Sequence, residues 1–211
     1  MNKKYELTDE TKEIGGITLH RIRALRSIPR YGVRSGDLGG WIEAESNLSQ
    51  DGDAWVSGDA RVYGNARVYG EAWVCDNAWV YGNAVVYGNA VVYGNAVVCG
   101  NARVYGEAWV CGNAVVCGDA RVYGNAEVSG NAEVKGIRDY AVFKNGWSSG
   151  RWFTYTRSNR MWRVGCFHGT GEELIAKAYK DSELSGKCYE AIVRAVETIE
   201  AAQAETKGEA K

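Results

Sequence analysis

The chain is predicted to fold as a mainly β solenoid, with a short cap before it and a small α+β domain after it. Three observations carry this expectation. From Asp53 to Gly136 the sequence repeats every six residues. Ala recurs from Ala54 to Ala132 and Val from Val56 to Val134, each fourteen times in succession. Gly keeps the same phase from Gly52 to Gly136, broken only at Asp76. The composition fits a repeat and not a loose linker: 27 Gly stand beside a single Pro, with 8 Trp and 13 Tyr.

Period six matches no amphipathic helix, and Gly at every sixth position would cost a helix about 1 kcal/mol each. Ala-x-Val instead puts two side chains on one face of a short strand. Gly followed by Asn then turns a corner, because both tolerate positive φ. Six residues per side close most simply as a triangle, giving coils of eighteen residues that stack by parallel hydrogen bonding.

The remaining composition narrows the class. Hydrophobic residues at 45% and charged residues at 24% imply a folded chain. A net charge of −1 argues against wrapping long nucleic acid. No apolar run approaches the ~18 residues of a membrane span. Met1 to Glu6 is polar and charged, so no secretory leader is expected and the setting is taken as the cytoplasm.

The repeat resembles the hexapeptide-repeat family, in which a large aliphatic residue is followed four positions later by a small one. Val56 to Ala60, Val62 to Ala66 and so on through Val128 to Ala132 match that motif without a break. The resemblance implies a left-handed parallel β-helix, here of about five coils, and a homotrimer of prisms packed about a threefold axis.

Eighteen-residue coils sort the outward residues into three faces. The first carries Trp55, Trp73, Val91, Trp109 and Glu127. The second carries Arg61, Trp79, Val97, Val115 and Glu133, with Tyr63, Tyr81, Cys99, Cys117 and Lys135 beside them. The third carries Arg67, Val85, Arg103 and Arg121 next to a tyrosine column, Tyr69, Tyr87, Tyr105 and Tyr123. The first two faces are too apolar for a lone prism and are expected to meet at the threefold axis; the alternative is that flanking segments fold over them.

Residues 1–50 are expected to form the cap, with strands at Lys4 to Leu7 and Ile17 to Leu25, and winding that begins near Gly36 to Glu43. Five Arg lie between Ile14 and Ser35 without an acid, which suits either an anion site or a face whose arginines pair with Asp9, Glu10 or Glu13. Residues 51–136 form the β-helix. Residues 137–211 are expected to hold three strands, Asp139 to Lys144, Arg151 to Thr156 and Arg160 to Phe167, followed by two helices. The first starts at the capping box Thr170-Gly171-Glu172-Glu173, and the second runs near Lys187 to Ala204 on Tyr189, Ile192, Val196 and Ile199. Glu205 to Lys211 is read as a frayed tail. Arg138-Asp139-Tyr140 and Gly165-Cys166-Phe167 resemble a small domain that follows such repeats in bacteriophage proteins, which implies a phage-type source. Its arginines and aromatics between Arg138 and Arg163 suit either a nucleotide platform or an ordinary packed sheet.

Acyltransferases of the hexapeptide family use a His base, and its carbonic anhydrases use three His on zinc. The only two His, His20 and His168, lie outside the repeat. Six Cys form no CxxC pair, so no metal and no cofactor is expected, and free thiols are expected. The chain reads as a non-catalytic module that sequesters a small anionic, nucleotide-like ligand on Arg67, Arg103, Arg121, Tyr87, Tyr105 and Tyr123, as a phage would to hold a host nucleotide immune signal. The alternatives are a hexapeptide-type acyltransferase, or a scaffold that presents the C-terminal domain to a protein partner.

Overall fold

A computed structural model describes residues 3–208, with side chains through Ala204. The chain divides into two compact units, one of residues 1–142 with 156–159 and one of residues 143–155 with 160–211.

The first unit is a parallel β-solenoid of about five turns. Its cap is a hairpin, β1 (Tyr5–Ile14) and β2 (Ile17–Ala24), which turns at Gly15-Gly16. Both strands outrun the expected short pieces, and β2 pairs antiparallel with β3 (Leu38–Ile42). The winding starts at β3, whose Trp41 and Ile42 pair parallel with Arg61 and Val62. Fourteen two-residue strands follow, β4 (Trp55–Val56) through β17 (Glu133–Val134). Every third strand is a neighbour, so they sort into three sheets: β3-β5-β8-β11-β14-β17, β4-β7-β10-β13-β16 and β6-β9-β12-β15. These are the three faces expected from the eighteen-residue period.

Every repeat Ala and Val is at most 1% exposed, so the prism interior is a column of these two side chains. Ala adjoins each corner and Val fills the middle of each side. Backbone hydrogen bonds of 2.7–3.1 Å join each coil to the next, as from the Arg103 amide to the Ala120 carbonyl at 2.8 Å. Asparagine ladders reinforce the corners: Asn65 donates to Asn83, Asn83 to Asn101 and Asn101 to Asp119 at 3.0–3.1 Å.

The cap closes the solenoid's first coil with a buried cation. Lys4 is fully buried, its Nζ donating to the Ala54 carbonyl at 2.7 Å. Tyr5, also buried, donates its hydroxyl to the Leu48 carbonyl at 2.6 Å. Burial, aided by Arg26, pulls the Lys4 ammonium down from 10.5 to about 8, while Asp53, Glu71 and Asp51 oppose the change. The folded pKa lies below the unfolded one. From pH 8 upward the unfolded chain therefore holds a proton that the folded chain has released, and stability rises with pH. Tyrosine ionisation leaves pH 8–10 as the usable window. Thiols raised by burial, Cys75 and Cys117, pull the other way from pH 9, so the wild-type midpoint is expected to gain on that of Lys4→Met as the pH rises from 8 to 10. Parallel pH profiles would sink the assignment.

Four of the five lead-in arginines are ion-paired, Arg21 to Glu10, Arg23 to Glu6, Arg26 to Asp53 and Arg30 to Glu71, at 3.0–4.0 Å. The cap is thus largely a solvated, paired face, with Arg21, Arg23, Arg26 and Arg30 already engaged. The lead-in also covers the start of the first face. Tyr5 meets Trp55 edge-on, and Tyr31 stacks on Trp73 at 5.0 Å. The second face keeps Trp79, Val97 and Val115 half-buried in its own ladder.

The second unit draws on an antiparallel sheet in the order β18 (Tyr140–Lys144), β19 (Trp152–Thr156), β20 (Met161–Val164) and β21 (Phe167–Gly169). The sheet has four strands where the sequence suggests three. The segment expected as one strand from Arg160 to Phe167 breaks at Gly165, whose φ of 56° turns the chain so that Val164 pairs with Phe167. Helix α1 (Gly171–Asp181) starts at the expected capping box: the Glu173 amide donates to Thr170 Oγ1 and the Thr170 amide to the Glu173 carboxylate. Helix α2 (Glu183–Gly208) is longer than expected. It buries the predicted Val196 together with Val193 and half-buries Tyr189 and Ile192, while Ile199 is 51% exposed, so the predicted face holds except at its C-terminal end. Of the tail read as frayed, Glu205 to Gly208 continue the α2 backbone, and residues 209–211 lie outside the described residues.

Candidate functional site

The third face places the predicted residues on consecutive rungs. In β6 (Arg67–Val68), β9 (Val85–Val86), β12 (Arg103–Val104) and β15 (Arg121–Val122), Arg67 pairs with Val85, Val85 with Arg103 and Arg103 with Arg121. Arg103 and Arg121 are therefore direct neighbours, about 4.8 Å apart along the sheet. Arg67 stands two rungs from Arg103, beyond Val85. All three arginines are exposed. None has an ion pair among the described residues. Like charges directly opposite on neighbouring strands are destabilising. Nothing in the repeat requires Arg here, since Val85 fills the same position one rung below Arg103.

Beside them, Tyr69, Tyr87, Tyr105 and Tyr123 form one continuous stack. Ring centroids are 5.0, 4.9 and 5.4 Å apart, with interplanar angles of 11°, 6° and 13°. The spacing is that of the coils themselves, so the backbone ladder pre-positions the rings. The Arg67 guanidinium lies 5.9 Å from the Tyr69 ring centre. Arg103 and Arg121 thus adjoin Tyr87, Tyr105 and Tyr123, while Arg67 belongs with Tyr69 at the opposite end.

The two ends of the stack differ. At the C-terminal end Tyr140 donates its hydroxyl to the Arg121 carbonyl at 2.9 Å. Burial pushes that phenol up to about 12, with Tyr123 and Tyr105 adding to the shift. At the N-terminal end the register Leu48–Val68 puts Ser49, a small residue, opposite Tyr69. Sequence reasoning missed both ends. Tyr140 lies past the repeat, and Ser49 lies in a first coil that does not share its period.

The basic and aromatic C-terminal segment is resolved by burial. Phe153, Tyr155 and Trp162 are 0%, 6% and 2% exposed. They pack with Trp147 and Tyr189, the Phe153 and Tyr189 rings being 4.7 Å apart. Those rings form the unit's core, leaving Trp152 as the exposed ring, with Lys144 5.4 Å from it. His20 places Nδ1 3.4 Å from the Thr8 carbonyl within the cap, and His168 lies on β21. Among the described residues no three of His, Cys, Asp and Glu gather as a metal-binding group. All six cysteines are free; burial pushes the Cys75 thiol up to about 12 and raises that of Cys117, with Cys99 adding to the latter. No described helix is long and apolar enough to cross a membrane.

No curated protein matches the chain. A family model described as the YdcK beta solenoid repeat matches residues 54–70, 60–76, 78–94, 86–100 and 96–112. With the winding of about five turns, the matched repeats make the chain a β-helix repeat protein whose coils are similar to that solenoid repeat.

Proposed function

We propose that the protein is a non-catalytic binding module that captures a small anionic, nucleotide-like ligand on its third face. One observation carries the reading: Arg103 and Arg121 are adjacent, exposed and without ion pairs, beside a pre-stacked column of tyrosine rings. Guanidinium forks suit phosphate, and aromatic faces suit bases. The rings are already stacked on one another before any ligand arrives, which lowers the ordering cost of binding. Sequestration of a host nucleotide signal by a phage-type protein fits this surface, in the host cytoplasm and without turnover. The hexapeptide motif supports a left-handed winding. The uncovered apolar second face supports a homotrimer packed through Trp79, Val97 and Val115.

Thermal-shift screening against cyclic di- and trinucleotides, ADP-ribose, coenzyme A and inorganic phosphate tests the proposal. A ligand at a hundred times its Kd adds about 2.7 kcal/mol, which raises the midpoint by several degrees. The expected result is such a shift with a nucleotide, and unaltered ligand recovered after denaturation. Recovery of altered ligand would make the protein an enzyme, and a flat panel would end the ligand reading.

A further inference from the structure

The first coil is built differently from those above it. Trp41 pairs with Arg61 and Leu48 with Val68, both offsets of 20, whereas Trp55 pairs with Trp73 and every later rung keeps 18. The two extra residues fall between Leu48 and Val56, at the corner between the third face and the first. The position that holds Tyr in each coil above holds Ser49 here, and the Ser49 amide donates to the Val68 carbonyl at 2.9 Å, continuing the ladder. The backbone column is therefore intact while the ring column lacks its first member. A cavity of about 360 Å³ opens there, lined by Glu45, Ser46, Ser49, Gln50, Arg67 and Tyr69.

From this geometry we infer that the missing rung is a stacking slot: a planar heteroaromatic ring, the base of a nucleotide, inserts beneath Tyr69 and its phosphate meets Arg67. The volume falls within the 300–1,000 Å³ usual for small-ligand sites. One wall is the free face of a tyrosine whose other face already stacks on Tyr87 at 5.0 Å, so the platform is fixed in place. Arg67 is exposed at the mouth, 5.9 Å from that ring. The floor is held open by bonds that do not involve the slot. Gln50 is clamped by the Lys4 amide at 2.8 Å and returns its own amide to the Tyr5 carbonyl at 3.2 Å. The Glu45 carboxylate is paired with Lys3 at 2.7 Å, which offsets part of the charge that would repel an anion. Ser46 and Ser49 offer hydroxyls to a base edge.

The slot rests on the proposed nucleotide reading but places the base at Tyr69, away from the Arg103–Arg121 pair, and the two are separable. The probes are AMP, ADP-ribose and a cyclic dinucleotide, titrated by calorimetry into full-length protein. Ser49→Tyr completes the ring column and fills the cavity. Tyr69→Leu removes the platform without adding bulk, in case the larger residue disturbs the corner. Each is expected to weaken binding about tenfold or more, the scale of one lost base stack, with the thermal midpoint of the free protein held. Arg103→Glu is titrated alongside. Binding that survives both slot variants but is lost in Arg103→Glu overturns the slot and leaves the wider reading standing. Binding by none of the probes to the wild type overturns both.

Discussion

Gly100→Val is expected to lower the stability of the solenoid by about 3 kcal/mol, a fall of roughly 6–12 °C in the thermal midpoint. Two costs add. Gly100 has a φ of 67°, a left-handed conformation that is a strong outlier for a β-branched residue. A Cβ there would also lie 2.9 Å from the Gly118 amide nitrogen and 3.2 Å from its carbonyl oxygen. These are backbone atoms of the next coil. They cannot swing aside, because Asn101 donates to the Gly118 carbonyl at 2.8 Å and the coils must stay in step. Moving Gly118 would pass the displacement up the corner to Lys135. The one corner that departs from Gly, Asp76, adopts a φ of 59° and uses its carboxylate to accept the Gly94 amide at 3.0 Å. Asp tolerates the left-handed region better than most residues and recovers a hydrogen bond there. A midpoint for Gly100→Val within about 2 °C of the wild type, by calorimetry at one protein concentration, would contradict this account of the corners.

The legibility of the molecule followed its periodicity. Ala54 to Ala132 and Val56 to Val134 specify the interior because every copy faces the same narrow prism. The three outward columns then follow from counting by eighteen. That arithmetic puts Arg103 beside Arg121 and aligns the tyrosines, as the sheet register does. It failed where the period is broken. The first coil is two residues longer, so Ser49 could not be assigned to the tyrosine column by counting forward or back from the repeat. Tyr140 reaches the same column from outside the repeat, through a tertiary contact that no local pattern encodes. In the C-terminal unit, alternation marks the strands. The turn at Gly165-Cys166 was hidden because it adds no polar run, and the third strand was drawn through it. Along helix α2 the spacing of Tyr189, Ile192 and Val196 marks the packed face, and it fails at Ile199, which is exposed. Val193, rather than Ile199, faces the sheet side of the unit, and spacing alone could not choose between them.

The second face supplies the other large effect. If the proposed trimer packs through this face, Val97→Lys with Val115→Lys is expected to convert it into monomers, read by light scattering as a fall from three times the 23.1 kDa chain mass to that mass itself. Val97 and Val115 are adjacent rungs of β11 (Val97–Val98) and β14 (Val115–Val116), both half-buried with their side chains outward. They continue Trp79 on β8 (Trp79–Val80); Tyr81, two residues on from Trp79, stacks on Tyr63 at 5.2 Å. Charged groups bracket this patch. Lys12 and Arg21 sit over Trp41 and Arg61 over Trp79 at one end, and the Glu133–Lys135 ion pair closes the other, which leaves Val97 and Val115 as the apolar centre. An apolar centre with a charged rim is the usual anatomy of an interface. Two ammonium groups at its centre would have to be desolvated side by side, which costs far more than the lost valine packing. In the isolated chain the same lysines point to water and leave Val98 and Val116 undisturbed in the core, so the monomer should keep its fold and its far-ultraviolet spectrum. A wild type that is monomeric at micromolar concentration would remove the trimer altogether. A variant that stays trimeric would move the contact to the exposed end of the first face, where Trp109 is 46% exposed with Tyr93 edge-on beside it.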